Sequence, residues 1–246
     1  MSNQPKPFSV LGQPVHIMAD YPDWLLECLK LGMGVHVVTL NAEMTMQAEQ
    51  NPNLALAINQ AELVIPDGAG VVLYLRFLLG QSINRCPGIE LSETLLRRLE
   101  QKNNQAKIFF YGASPGIAAS CAEYWQQQCP SLNIAGTHSG FHTTEELEKL
   151  QHTLQQLQPQ IIFVGLGVPR QELWISQNRH LCPQAIWIGV GGSFDIWSGN
   201  KTRAPKWLGN NNLEWLYRLY QEPWRWRRML ALPKFALKAV VYRFTH

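Results

Sequence analysis

Asp67 is the carboxylate whose neighbours suit chemistry. It stands between Pro66 and Gly68, just after the apolar run Leu63–Ile65. A carboxyl set there at the end of a buried strand is a candidate general base, because partial burial raises its pKa from about 3.9. Asp also caps helices well, and a helix starting near Ala69 would use such a cap. The two readings are compatible, and both stay open. Glycine-rich turns follow three other apolar runs: Gly112–Gly116, Gly165–Gly167 and Gly189–Gly192. Before a helix, such turns present backbone N–H groups that can hold phosphate; Gly112–Gly116 and Gly189–Gly192 qualify, so Gly112, Gly191 and Gly192 are candidates, with Gly167 a further substrate-binding candidate. Each also reads as a tight turn without a ligand. No Gly-Lys-Ser/Thr follows any of them, which excludes a Walker A loop. Gly165-Leu166-Gly167 begins like a dinucleotide fingerprint, but Arg170 stands where the third glycine belongs. Arg218, Arg225 and Arg228 are 7 and 3 apart, a spacing that shares one helical face unless Pro223 breaks the register. Their planar forks suit phosphate oxygens.

Metal and covalent chemistry find little in the sequence. There is no Asp-x-Asp, and Asp20 and Asp23 fall in a turn-like segment. His138 and His142 flank Gly140-Phe141 in an expected loop, which makes them structural or substrate-proximal. The five cysteines are an odd number, scattered, without a C-x-x-C pair. That argues against a disulfide framework or structural zinc and fits a reducing cytoplasm. No Gly-x-Ser-x-Gly elbow occurs. The expectation is therefore no metal, no cofactor and no covalent nucleophile.

The elements that must position these residues follow from hydrophobic patterning. Apolar runs at Val35–Leu40, Leu63–Ile65, Lys107–Tyr111, Ile161–Gly165 and Ala185–Gly189 read as buried strands. Helical patterns alternate with them at Ala42–Glu49, Ala69–Leu79, Glu90–Lys102, Ile117–Gln128, Thr144–Gln156 and Pro169–Arg179. This alternation implies an α/β protein with a mainly parallel sheet and helices on both faces. In such sheets ligands sit at the carboxyl ends of the strands, where all five candidate strands run into polar or glycine-rich turns. Thr143 reads as a helix cap, and Pro115 and Pro169 suit a first helical turn.

From Ala204 onward the strands stop. Helical stretches remain at Leu213–Tyr220, Pro223–Leu230 and Lys234–Tyr242, punctuated by Pro223 and Pro233. The expected organisation is an α/β body over residues 1–203 and a helical appendage over 204–246. Charge divides nearly the same way. Residues 201–246 carry 10 Lys/Arg and 2 Asp/Glu, a balance of +8, whereas residues 1–200 carry 11 and 16, a balance of −5. The basic segment also holds 9 of the 25 aromatics. A cationic, aromatic tail points to an anionic partner: a membrane surface, a phosphorylated ligand or nucleic acid. A solvated helical face over a few core aromatics gives the same pattern. With 46% apolar and 16% charged residues among 246, a sizeable core forms and general disorder is excluded. The longest apolar run, Gly68–Leu79, is too short to span a bilayer and contains Arg76, and Met1–Val10 does not read as a signal peptide.

Eight blocks in order carry a resemblance: Thr39-Leu40-Asn41, Pro66-Asp67-Gly68, Arg85-Cys86-Pro87-Gly88, Gly167-x-Pro169-x-Gln171-Glu172, Gly191-Gly192-Ser193-Phe194-Asp195, Ser198-Gly199, Arg203-Ala204-Pro205 and Glu214-Trp215-x-Tyr217-Arg218-Leu219. Together they resemble the WecG/TagA/CpsF glycosyltransferases (glycosyltransferase family 26), from Val35 to Arg228. The resemblance implies a Rossmann-like α/β body whose helical appendage closes over the site. It implies a bacterial enzyme at the cytoplasmic face of the membrane. Such an enzyme moves N-acetylmannosamine or a related hexose from a UDP-sugar to a polyprenyl-diphosphate-linked sugar, with inversion and without an obligatory metal. On this resemblance Asp67 is the general base, Thr39 and Asn41 lie near the acceptor and donor sugars, and Arg85 and Gln171 line the cleft. Arg203, in the Arg-Ala-Pro block, is a substrate-binding candidate, and Arg218, Arg225 and Arg228 reach the diphosphate. Cys86 and Gly112-Ala113-Ser114 depart from the family pattern. The expected partners are the donor, the lipid-linked acceptor and an anionic membrane, with no nucleic acid; a homo-oligomer stays open. Two alternatives remain: a non-catalytic nucleotide-binding module with a membrane- or nucleic-acid-docking tail, and a nicotinamide oxidoreductase.

Overall fold

A computed structural model describes residues 4–80, 83–210 and 213–245, except the side chains of Leu78, Lys206, Asn210, Arg218, Arg225 and 243–245. The chain runs β1 (Lys6–Val10), β2 (Gln13–Ile17), α1 (Tyr21–Lys30), β3 (Val35–Leu40), α2 (Ala42–Ala48), α3 (Pro52–Asn59), β4 (Leu63–Pro66), α4 (Ala69–Leu79), α5 (Gly88–Gln101) and β5 (Ile108–Gly112). It continues through α6 (Ile117–Gln128), β6 (Ile134–His138), α7 (Thr144–Leu157), β7 (Ile161–Gly165), α8 (Arg170–Asn178), β8 (Ile186–Gly189) and α9 (Ser193–Trp197). The last helices are α10 (Lys206–Asn210), α11 (Glu214–Gln221), α12 (Trp226–Met229) and α13 (Ala231–Thr245).

Strands β3 to β8 form one sheet in the order β4-β3-β8-β7-β5-β6, parallel at every pairing. Successive side chains on a strand face opposite ways, so each apolar run feeds two cores. Val35, Val37, Ile108, Phe110, Ile161, Phe163, Ile186 and Ile188 pack on one face against α1, α5, α6 and α9. On the other face Val38 and Leu40 meet α2, α3 and α4, while Phe109, Tyr111, Ile162 and Val164 meet α7 and α8. Burying one such side chain stabilises the fold by about 1.5–3 kcal/mol. Phe110 stacks on Phe163 at 5.4 Å, and Phe163 meets Trp197 edge-on at 6.0 Å, which fixes the short helix α9 over the sheet.

The five expected strands and six helices of the body are present, with ends shifted by a residue or two. Several elements went unforeseen, the short helices α9 and α10 among them. The β1–β2 hairpin is antiparallel and separate from the main sheet. The segment holding Asp20 and Asp23 is the start of α1, not a turn: Asp20 caps it by accepting the Asp23 N–H at 2.9 Å. Helix α3 opens with an Asn51 cap and Pro52. Edge strand β6 is half-buried along its length, so its pattern is blurred, and it places His138 in the sheet rather than in a loop. The prolines sit differently too. Pro169 is the residue before α8, Gly116 separates Pro115 from α6, and Pro233 lies inside the first turn of α13, where a missing N–H costs nothing. Thr143 caps α7 in a capping box with Glu146.

The appendage is not detached from the body. Phe235 and Ala239 of α13 are buried in the same cluster as Met44, Val71 and Tyr74 of α2 and α4. Among the described residues no helix is long and apolar enough to cross a membrane.

Candidate active site

The carboxyl ends of β3, β4, β7 and β8 open onto one cleft, roofed by the appendage. Its larger part, about 1080 Å³ of open volume, is lined by Thr39, Gln171, the Gly191–Ser193 turn, Lys201, Arg203 and Tyr217. An adjoining part of about 760 Å³ is lined by Gly68, Arg85, Trp215 and Met229. Asn41, Glu43, Asp67, Glu214 and Arg228 belong to both. Asp67 thus sits where the two halves meet.

Local geometry explains why these residue types stand there. The Asp67 backbone N–H donates to Leu40 and Ile65 carbonyls at 3.0 Å each, joining the ends of β3 and β4. Its Oδ1 accepts the Gly88 N–H at 3.1 Å. Asp67 therefore caps α5, whose first turn follows Pro87 with no side-chain cap of its own, rather than α4. The cap position of α4 is Gly68. A Cβ on Gly88 would come within 2.6 Å of Thr39 Cγ2, and one on Gly68 within 2.6 Å of Asn41 Cβ. Only glycines let α4 and α5 start this close to the end of β3. Asn41 caps α2, its Oδ1 accepting the Met44 N–H at 3.0 Å. Thr39 donates its hydroxyl to the Gly189 carbonyl at 3.3 Å.

Gln171 lines the cleft, but its amide is already occupied. Its Oε1 accepts the N–H groups of Gly167 (3.1 Å) and Gly191 (3.0 Å), and its Nε2 donates to Glu172 at 2.8 Å. The amides of Gly167 and Gly191 are thereby spent within the protein, which moves the phosphate-holding expectation onto Gly192. Gly112 lies outside the cleft lining. Its φ of +135° and a Cβ position 2.5 Å from the Gly165 carbonyl carbon account for the glycine by close approach of β5 and β7.

The cleft is tied to the appendage by ion pairs. Arg85 meets Glu214 at 3.0 Å with both side chains mostly buried. Lys201 bridges Asp195 at 2.7 Å and Glu222 at 3.1 Å. Arg203 pairs with Glu90, and Arg228 with Glu43. The Thr202 and Tyr217 hydroxyls hydrogen-bond at 2.8 Å. The side chains of Arg218 and Arg225 fall outside the described residues. The sequence alone assigns no role to Glu43, Lys201, Glu214, Tyr217 or Glu222. Glu214 and Tyr217 stood in a recognised block, Glu43 two residues beyond Asn41, and Lys201 two before Arg203, so their spacing was the available signal.

Thiol chemistry has no foothold: burial raises every cysteine, and Cys86, beside Asp67 and Glu90, is pushed up to about 12. His142 stacks on Tyr111 and His138 lies tilted against it; the Tyr111 hydroxyl meets His142 Nε2 at 2.9 Å, away from the cleft lining. Among the described residues no three His, Cys, Asp or Glu side chains gather as a metal-ligand set.

A parallel sheet flanked on both faces, with a polar cleft along its carboxyl edge, is the architecture of a Rossmann-like α/β enzyme. The chain belongs to the WecG/TagA/CpsF family of glycosyl transferases, whose sequence profile matches residues 8–246. It is 39% identical over 203 residues to the N-acetylglucosaminyldiphosphoundecaprenol N-acetyl-beta-D-mannosaminyltransferase of Bacillus spizizenii, covering 82% of this chain and 77% of the relative. The enzyme of the same description from Bacillus subtilis is 37% identical over 205 residues, covering 83% and 78%.

Proposed function

We propose that this glycosyltransferase moves N-acetylmannosamine or a closely related hexose from a UDP-sugar to a polyprenyl-diphosphate-linked sugar, with inversion. The observation that carries the reading is Asp67 at the junction of two joined half-clefts; the half lined by the Gly191–Ser193 turn is assigned to the donor and the other to the acceptor. The acceptor hydroxyl oxygen attacks the anomeric carbon, its proton passes to the Asp67 carboxylate, and the bond from that carbon to UDP breaks. UDP leaves with the electron pair. Thr39 and Asn41 border the reacting sugar. Negative charge growing on the diphosphate is met by guanidinium groups, Arg228 and Arg85 together with Arg218 and Arg225, and by the Gly192 turn, in place of a divalent metal. Arg203 braces the cleft wall through Glu90.

Access to a lipid-linked acceptor requires a bilayer nearby. Trp207, Tyr220, Trp224 and Trp226 are exposed on the appendage, and the Arg227 guanidinium lies over the Trp226 ring. Aromatics and arginines together suit the headgroup region of an anionic leaflet, which supports a peripheral location at the inner face of a bacterial membrane. The product would feed a surface polysaccharide.

Purified protein given UDP-N-acetylmannosamine and a lipid-diphosphate-N-acetylglucosamine analogue should release UDP and form a disaccharide of inverted anomeric configuration. Failure with this and every other UDP-hexose overturns the reading; a retained configuration overturns the inversion.

A further inference from the structure

Glu172 is fully buried in the first turn of α8, behind the cleft rather than in it. Its Oε1 accepts the Gln171 Nε2 hydrogen bond, while its Oε2 is buried with no hydrogen-bond partner. Desolvation raises this carboxyl to about 7. A buried carboxyl with an idle oxygen is costly, and an apolar side chain of similar volume would pack there at less cost. What Glu172 alone supplies is an acceptor facing Gln171. The Gln171 amide can sit in two orientations. Only the one with Oε1 toward the turns satisfies both the Gly167 and Gly191 N–H groups, and that orientation aims Nε2 at Glu172. The opposite orientation sets N–H against N–H on one side and carbonyl against carboxyl on the other. The pair packs against the Gly189 backbone, in the space a side chain there would fill: a Cβ on Gly189 would stand 2.6 Å from Gln171 Nε2 and 3.1 Å from Glu172 Oε1.

We infer that Glu172 is a positioning residue for the donor half of the cleft: by fixing the Gln171 amide, it sets the separation of the Gly167 and Gly191 turns and so places the Gly192 N–H that faces the donor diphosphate. The inference rests on the UDP-sugar reading for its ligand, while the coupling itself belongs to the fold.

Two variants separate this role from simple packing. Glu172→Gln keeps an acceptor oxygen toward Gln171, whereas Glu172→Met keeps the volume and removes the acceptor. Glu172→Met should raise the KM for the UDP-sugar about 10-fold, the scale of one lost hydrogen bond, leaving kcat and the acceptor KM within about 3-fold. Glu172→Gln should restore the donor KM. Equal donor KM in wild type and Glu172→Met, or parallel loss of donor and acceptor KM in both variants, overturns the inference. A wild type that turns over no UDP-sugar counts against the donor assignment only. The coupling is then read from backbone amide NMR, where Glu172→Met should shift Gly167 and Gly191 together and Glu172→Gln should return them. Unmoved signals overturn it. Should Glu172→Met not fold, the wild-type amides of Gly167 and Gly191 carry the test: slow solvent exchange of both is expected, and fast exchange contradicts the network.

Discussion

The buried carboxyl of Glu172 couples folding to pH in the sense opposite to an ion-paired acid. Burial raises it from an ordinary 4.5 to about 7. Between those values the unfolded chain releases this proton and the folded chain keeps it, so stability falls as pH rises from about 4.5 to about 7 and is level beyond. Glu172→Gln removes that dependence. Its stability relative to wild type should rise across this window by on the order of 3 kcal/mol, checked by urea denaturation at pH 5 and pH 8. A constant difference would show that Glu172 titrates normally. At this scale the sequence was only partly readable. Asp67 stood out because Pro66 and Gly68 isolate it at a strand end, but its capping role was expected for the helix near Ala69, whereas the N–H it accepts belongs to Gly88, 21 residues on. The demand on Gln171 was invisible, because it needs two turns that meet only in the folded sheet.

At the scale of elements, strands buried on both faces announced themselves as unbroken apolar runs, and β3 and β7 match their expected limits. The half-buried edge strand β6 and the β1–β2 hairpin did not, because neither places a continuous apolar run in the core. Glycines at the strand ends read equally as ligand loops or as turns. The structure separates them by what a side chain would strike. Gly112→Ala would press a methyl into the Gly165 backbone at a φ of +135°, so it should cost about 2 kcal/mol or more and lower the thermal midpoint, with the donor KM unchanged in the protein that remains folded. A rise in donor KM without loss of stability would return Gly112 to the site.

The whole molecule joins an acidic body to a basic, aromatic appendage, and the composition showed that division clearly. It did not show how closely the two are joined. Burial of Phe235 in the α2–α4 core and the Arg85–Glu214 and Arg228–Glu43 pairs make the appendage one wall of the cleft; pairings across 129 and 185 residues have no local signal. Trp224 and Trp226 lie outside the cleft lining and are exposed. Replacing both with Ala should weaken binding to anionic liposomes about 10-fold or more, while turnover of a short-chain, water-soluble acceptor analogue stays near wild type. Unchanged liposome binding would place the membrane contact elsewhere.

The central assignment is a carboxylate that takes the acceptor proton at the meeting point of the two half-clefts. Asp67→Asn keeps the Oδ1 that accepts the Gly88 N–H, so the fold and the start of α5 should survive. The most direct measurement is the single-turnover rate of this variant with saturating UDP-sugar and lipid-linked acceptor. A loss of about 100-fold or more, the scale of a missing general base, is expected with thermal midpoint and UDP-sugar affinity unchanged. A rate equal to wild type would contradict the account.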